Sequence, residues 1–227
     1  MKLKQIEKML LTAAEEEGKS LVKTLRAEVK GEYEVKFKSV LAHTVATAVT
    51  SYTSKNPANM VVMGSRGASA LKKVRLGGTT VSVIDDCEVP VLAIPEKAVF
   101  KNLQKIVYAS DLKNVQKELD IIIEFASIYG SHIHVIHVVP ALDKKAEAEV
   151  KKMEDVLQKT KYGKIDFRVI IDDDIPAAID GFIRDSKSDL LTTFTHHLSL
   201  YEKLFARSVT RTLAYLGTIP LLAIKHR

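Results

Sequence analysis

From residue 105 onward, the chain alternates short apolar runs with longer stretches in which charges recur at helical spacing. Lys105 to Ala109, His132 to Val139, Ile165 to Ile171, Asp189 to Phe194 and Pro220 to Lys225 are the apolar runs. They predict strands, and His132 to Val139, almost wholly apolar, suits a strand buried in a parallel sheet. Between them, Val115 to Tyr129, Ala141 to Lys159 and Tyr201 to Tyr215 predict helices. Asp174 predicts the cap of a further helix to about Ser186, with Pro176 tolerated in its first turn. Strand–helix alternation of this kind builds a doubly wound parallel α/β sheet. The earlier residues predict helices over Lys2 to Glu17 and Ser20 to Glu28, then a strand from Tyr33 to Leu41. Helix Thr44 to Lys55, strand Asn59 to Met63, helix Thr79 to Cys87 and strand Val89 to Ile94 follow.

The two parts are related. Pro90-Val91-Leu92-Ala93-Ile94 returns as Pro220-Leu221-Leu222-Ala223-Ile224, an offset of 130 residues from Pro90 to Pro220. The same offset pairs Val45 with Ile175, Val49 with Ile179, Tyr52 with Phe182 and Asn59 with Asp189, each keeping size or polarity. A tandem repeat is expected, with domains at 1–97 and 102–227 joined by a linker near Glu96 to Asn102. The first copy is then incomplete at its start: the counterparts of the first strand, first helix and the loop aspartate Asp111 would precede Met1.

The candidate chemistry sits in the first copy. Val61-Val62-Met63-Gly64-Ser65-Arg66-Gly67 ends a strand in a glycine turn, and Gly77-Gly78-Thr79-Thr80 opens the next helix. Glycines let successive backbone N–H groups close on an anion, and a helix start adds its positive end and unpaired donors. Thr79 and Thr80 offer hydroxyls, and Lys72, Lys73 and Arg75 offer cations within the loop.

Gly-x-x-Gly, nine residues, then a further glycine beside a small hydroxyl residue resembles the nucleotide loop of the universal stress protein family, with Gly64, Gly67 and Gly77 in register. Val107-Tyr108-Ala109-Ser110-Asp111 and Ile136-His137-Val138-Val139 carry the resemblance through the second copy. It implies two Rossmann-like, adenine nucleotide alpha hydrolase-like sheets in tandem. It also implies a cofactor-binding set of Met63, Gly64, Arg66, Gly67, Gly77, Gly78, Thr79 and Thr80 for ATP with Mg, and Asp111 as the adenine contact of the second domain. Two departures weaken ATP binding: Gly78 stands where the family has a hydroxyl residue, and the first copy has no counterpart of Asp111. In the second copy Phe194, His197 and Arg207 replace the glycines, and only Ser208 keeps the hydroxyl character. Each copy thus holds half a site.

The apolar last strands, Val89–Ile94 and Ile219–Ile224, read as sheet edges that invite pairing. By the resemblance the two copies pair through them about a pseudo-twofold axis, and self-association as a dimer is expected. His132 and His134 share a strand face while His137 points to the other, and no cysteine or nearby carboxylate completes a ligand set. No metal site is therefore expected. Asp172-Asp173-Asp174 reads as a solvated cap, His196 and His197 as fillers of the degenerate loop, and Cys87 as packed rather than reactive.

Composition narrows the function classes. The 227 residues carry a net charge of +6, spread along the chain without a basic stripe interleaved with aromatics, so specific nucleic-acid binding is not expected. The single cysteine precludes an internal disulfide and suits a reducing compartment. No apolar run reaches the ~18 residues of a membrane span, so a cytoplasmic protein without membrane partners is expected. With no nucleophile–base pair or Walker lysine in view, the chain is not expected to be an enzyme. The expected function is a stress-response regulator and interaction scaffold with weak or absent nucleotide binding; the alternative is an ATP-binding regulator using Gly64 to Thr79.

Overall fold

The computed structural model describes residues 2–65, 76–141, 143–195 and 218–225. It divides into two compact units, 1–44 and 45–227.

The first unit is built on α1, Lys2–Glu28, a single 27-residue helix where the periodicity predicts two. Gly18 is inside it rather than at a break. A Cβ there would meet the Phe37 ring at 2.4 Å, so the glycine lets the aromatic ring lie directly on the helix. The Tyr33 hydroxyl lies 2.9 and 2.8 Å from the Leu25 and Val29 carbonyls, so it adds to the Val29 N–H on Leu25 O and reaches the Val29 carbonyl just past the helix end. The predicted strand from Tyr33 to Leu41 does not form; those residues are irregular. Its counterpart in the second copy, Ile165–Ile171, pairs with His132–Val139. At the same offset the positions equivalent to the latter lie in α1, and a strand without a ladder partner leaves its backbone unsatisfied.

The second unit holds α2 (Val45–Lys55), β1 (Val61–Gly64), α3 (Gly78–Asp86), β2 (Val91–Ile94), β3 (Lys105–Ala109), α4 (Val115–Tyr129) and β4 (His132–Val139). It continues with α5 (Lys144–Lys159), β5 (Ile165–Ile171), α6 (Ile175–Ser186), β6 (Leu190–Thr195) and β7 (Leu221–Lys225). The predicted helix Tyr201 to Tyr215 lies outside the described residues. Caps explain the helix limits. Asp143 and Asp174 accept from Ala146 N and Ala177 N at 2.8 and 3.1 Å, and Gly130 ends α4 in the left-handed conformation with φ 64°. Asp172 accepts from Asp174 N at 2.8 Å, so two of the three consecutive aspartates serve the turn that starts α6.

Through their last strands, the pairing that the resemblance implies, the two sets of strands join into one sheet. Its order is β1-β2-β7-β6-β3-β4-β5, all neighbours parallel except β2 and β7. The antiparallel register is Val91↔Ala223, Leu92↔Leu222 and Ala93↔Leu221. At an offset of 130, Leu92 and Leu222 are counterparts, so the junction is symmetric about that pair. The last strands therefore pair within the chain. β2 and β7 each have a strand neighbour on both sides, so the pairing expected of these strands is made within the chain.

Apolar side chains cover both faces of the sheet. One cluster gathers Val83, Ile84, Cys87, Val91, Ala93, Val107, Ile179, Ile183 and Ala223; the other gathers Ile106, Tyr108, Leu119, Ile122, Ile133, Met153, Leu190 and Leu222. Cys87 is packed in the first, as expected. Leu222 is 2% exposed whereas Leu92 is half-buried. Leu222→Ala is expected to cost about 2–5 kcal/mol in urea unfolding and Leu92→Ala distinctly less; equal costs would mean that the junction is not packed as described.

Candidate functional site

Two partial sites lie beyond the carboxyl ends of parallel strands, where open α/β sheets place ligands. The first follows β1. Met63 and Gly64 end that strand, and Ser65 continues its ladder by donating its N–H to Ile94 O at 2.8 Å. Gly77 N donates to Ser65 O at 2.7 Å, closing the base of the loop. Thr80 is buried at 1%, and its hydroxyl reaches the Gly64 and Ser65 carbonyls at 3.0 and 3.3 Å. Its donor capacity is thus spent on bracing the turn, so it does not present a proton to a phosphate. Gly77, extended at φ −71° and ψ 149°, precedes α3, and Gly78 and Thr79 are exposed at the helix start. Arg66 and Gly67, with Lys72, Lys73 and Arg75, lie outside the described residues.

The second site follows β3. Asp111 forms an ion pair with Lys113 at 3.1 Å, and its other oxygen accepts from Lys113 N at 3.1 Å. It lines a cavity of about 350 Å³ with Ser110, His137, Val139, Asp143 and Glu149. His137 donates from Nδ1 to Ser110 O at 2.9 Å, which turns Nε2 towards Glu149 at 3.6 Å. Three carboxyl side chains line this cavity against one lysine, a balance that opposes a polyphosphate.

The floor of the cavity is anchored by a buried polar chain that sequence reasoning missed. Leu112 N donates to Ser110 Oγ at 3.0 Å, Ser110 Oγ to the Tyr108 hydroxyl at 2.9 Å, and that hydroxyl to Glu118. Glu118 is 1% exposed in the first turn of α4, where the positive helix end favours a carboxylate. Burial, and then the Glu118 carboxyl, hold the Tyr108 phenol well above the usual tyrosine range. Phe194, the counterpart of Gly64, is 4% exposed and meets the Tyr108 ring edge-on at 5.7 Å. An aromatic ring thus occupies the end of β6, where the first copy has glycine. His197, Arg207 and Ser208 lie outside the described residues.

The halves are not brought together. β1 and β3 are separated by β2, β7 and β6, four strand spacings or ~19 Å at the usual interval. The antiparallel step between β2 and β7 also makes β1 and β3 run in opposite directions. Gly64 and Asp111 therefore stand at opposite ends of the strands.

The description "Universal stress protein family" fits residues 2–95, the stretch that contains the glycine loop. These residues, fewer than half of the chain, are what is similar to that family. No curated protein matches it in sequence. Among solved structures, a universal stress protein from Archaeoglobus fulgidus aligns at 19% identity and TM-score 0.61, over 79% of this chain and 66% of that one. This chain thus spans slightly less than two thirds of that relative. A candidate universal stress protein from Pseudomonas aeruginosa aligns at 17% identity and TM-score 0.62, over 91% of this chain and 76% of its own. At these identities the likeness is one of fold, a mixed α/β sheet of the universal stress protein type. An Archaeoglobus fulgidus universal stress protein in complex with dAMP aligns at TM-score 0.40, too low to bear on what this chain binds. Among the described residues, no helix of this chain is long and apolar enough to cross a membrane.

Two outcomes test this geometry. Thr80→Val removes the hydroxyl proton from the Gly64 carbonyl, while Ser65 O keeps the Gly77 N–H, and is expected to cost about 1–3 kcal/mol in denaturant unfolding; a neutral change would remove Thr80 as the brace. The folded chain favours the neutral Tyr108 phenol, so the unfolded chain loses that proton first and stability falls as pH rises above about 10. Ultraviolet titration should show a tyrosine that ionises only on unfolding, and Tyr108→Phe should remove it. Its persistence in the variant would contradict the assignment.

Proposed function

We propose that this universal stress protein is a stress-response regulator that works as an interaction scaffold, binds nucleotide weakly or not at all, and catalyses no reaction. The opposed directions of β1 and β3 carry this reading. They separate the glycine turn from the aspartate that the family resemblance assigns to adenine. An adenine held near Asp111 leaves its phosphates far from Gly64 and Gly77, beside Phe194 and a carboxyl-rich wall. A triphosphate at the glycine turn has no strand beyond β1 to supply an adenine wall among the described residues. In this reading the protein acts in the cytoplasm. β1, which has a strand neighbour on one side only among the described residues, offers the edge for self-association.

A second reading, ATP with Mg held by the Gly64 to Thr79 loop, is favoured by the exposure of Gly78 and Thr79 at the start of a nine-residue helix. Thermal unfolding with and without millimolar Mg·ATP, with GTP as control, separates the two. The scaffold reading expects no shift with either nucleotide. An ATP-specific rise in midpoint would overturn it, because a ligand held only by the folded chain must stabilise it. Loss of that rise in Gly77→Val would then locate ATP at the loop, and loss in Asp111→Asn would locate it in the second cavity.

A further inference from the structure

At the end of the sheet opposite the Asp111 cavity, three side chains of two neighbouring strands converge. His132 and His134 are two residues apart on β4, and Asp166 is the register partner of His134 on β5, so all three project from one face. His132 Nε2 and His134 Nδ1 each stand 2.8 Å from the same oxygen, Asp166 Oδ2. The rings pack together with centroids 4.7 Å apart, and Phe182 on α6 backs His134 edge-on at 5.6 Å. His134 is 12% exposed, and its other nitrogen, like Asp166 Oδ1, is buried without a hydrogen-bond partner. His132 and Asp166 are 39% and 36% exposed, which leaves one side open to water.

We propose that His132, His134 and Asp166 form a binding site for a late first-row divalent cation, zinc in the first instance. Each residue offers one donor atom, and the three atoms lie within 4.8 Å of one another. As the side chains stand, two ring protons must point at one carboxylate oxygen. A single divalent ion replaces both protons and draws on three inward lone pairs. Two imidazoles with one carboxylate is a donor set that zinc and its neighbours accept, while magnesium and calcium prefer oxygen alone. Neighbouring ligands of a tetrahedral zinc lie roughly 3.3 Å apart for bonds near 2.05 Å, so the present 2.8 Å contacts need to open by about half an ångström. The partly exposed His132 ring has room for that movement.

Water completes the coordination from the open side. The surrounding cations are occupied or offset: Lys105 Nζ donates to Ser186 O at 2.8 Å and Lys164 Nζ to Gly130 O at 2.9 Å. Arg168 lies over the Phe182 ring, with Nε 3.9 Å from Asp166 Oδ1. An ion here pins β5, the edge strand, to β4.

The test is zinc titration of the full chain after chelator stripping, by calorimetry, with cobalt as the visible-absorption probe. The expected result is one site of micromolar affinity, weakened at least tenfold by both His132→Gln and Asp166→Asn. The same affinity should remain in His43→Gln, an exposed histidine outside the cluster. No saturable binding below about 100 μM, or binding unchanged in the two cluster variants, overturns the proposal. Circular dichroism checks the fold of each variant. Independently of any variant, nuclear magnetic resonance of the wild-type chain should show the His132 and His134 ring signals moving on zinc addition, and their constancy would also overturn it.

Discussion

The organisation of this protein depends on one antiparallel junction, the three residue pairs by which β2 meets β7. Both strands are apolar and buried, and each already carries a parallel neighbour on its other side. Joining them satisfies two rows of backbone groups that would otherwise form sheet edges, and makes one seven-stranded sheet from two parallel sets. The register is symmetric about Leu92 and Leu222. The same step reverses strand direction across the sheet, which sends the glycine turn and Asp111 to opposite ends. Packing economy and the separation of the site halves thus have one cause.

Each end of the second strand set is then given a different chemistry by what its strands carry. At the carboxyl ends, the Leu112–Ser110–Tyr108–Glu118 chain fixes the loop bearing Asp111, and a buried network of this kind is rigid only when every member has a partner. At the amino ends, two histidines and a carboxylate meet across the β4–β5 ladder. In the first copy the equivalent polar capacity is used locally, with Thr80 closing the loop onto Gly64 and Ser65. These polar groups lie at strand ends because the strand centres are covered on both faces by apolar layers.

Much of the fold was legible in the residues. The helix Val115–Tyr129 and the strands His132–Val139 and Ile165–Ile171 form where the periodicity places them, since local propensity and burial demand the same element there. The strand expected at Tyr33 to Leu41 fails because its apolar spacing is local information, whereas a strand requires a partner. The break expected near Gly18 fails for a related reason: that glycine answers to the Phe37 ring, which periodicity along the helix does not reveal.

The amino-acid sequence by itself determined most of the element types, the recurrence of Pro90–Ile94 as Pro220–Ile224, the family resemblance of the glycine loop and the reading of Asp172 to Asp174 as a cap, all of which depend on neighbours within a few residues or on direct comparison of segments. Only the tertiary structure decided how the copies join, that Thr80 faces inward, that Phe194 closes on Tyr108, and that Asp166 completes a set with His132 and His134. Asp166 lies more than thirty positions from both histidines along the chain and 2.8 Å from each in space. Strand register, which the packing of whole layers sets, converts the first separation into the second.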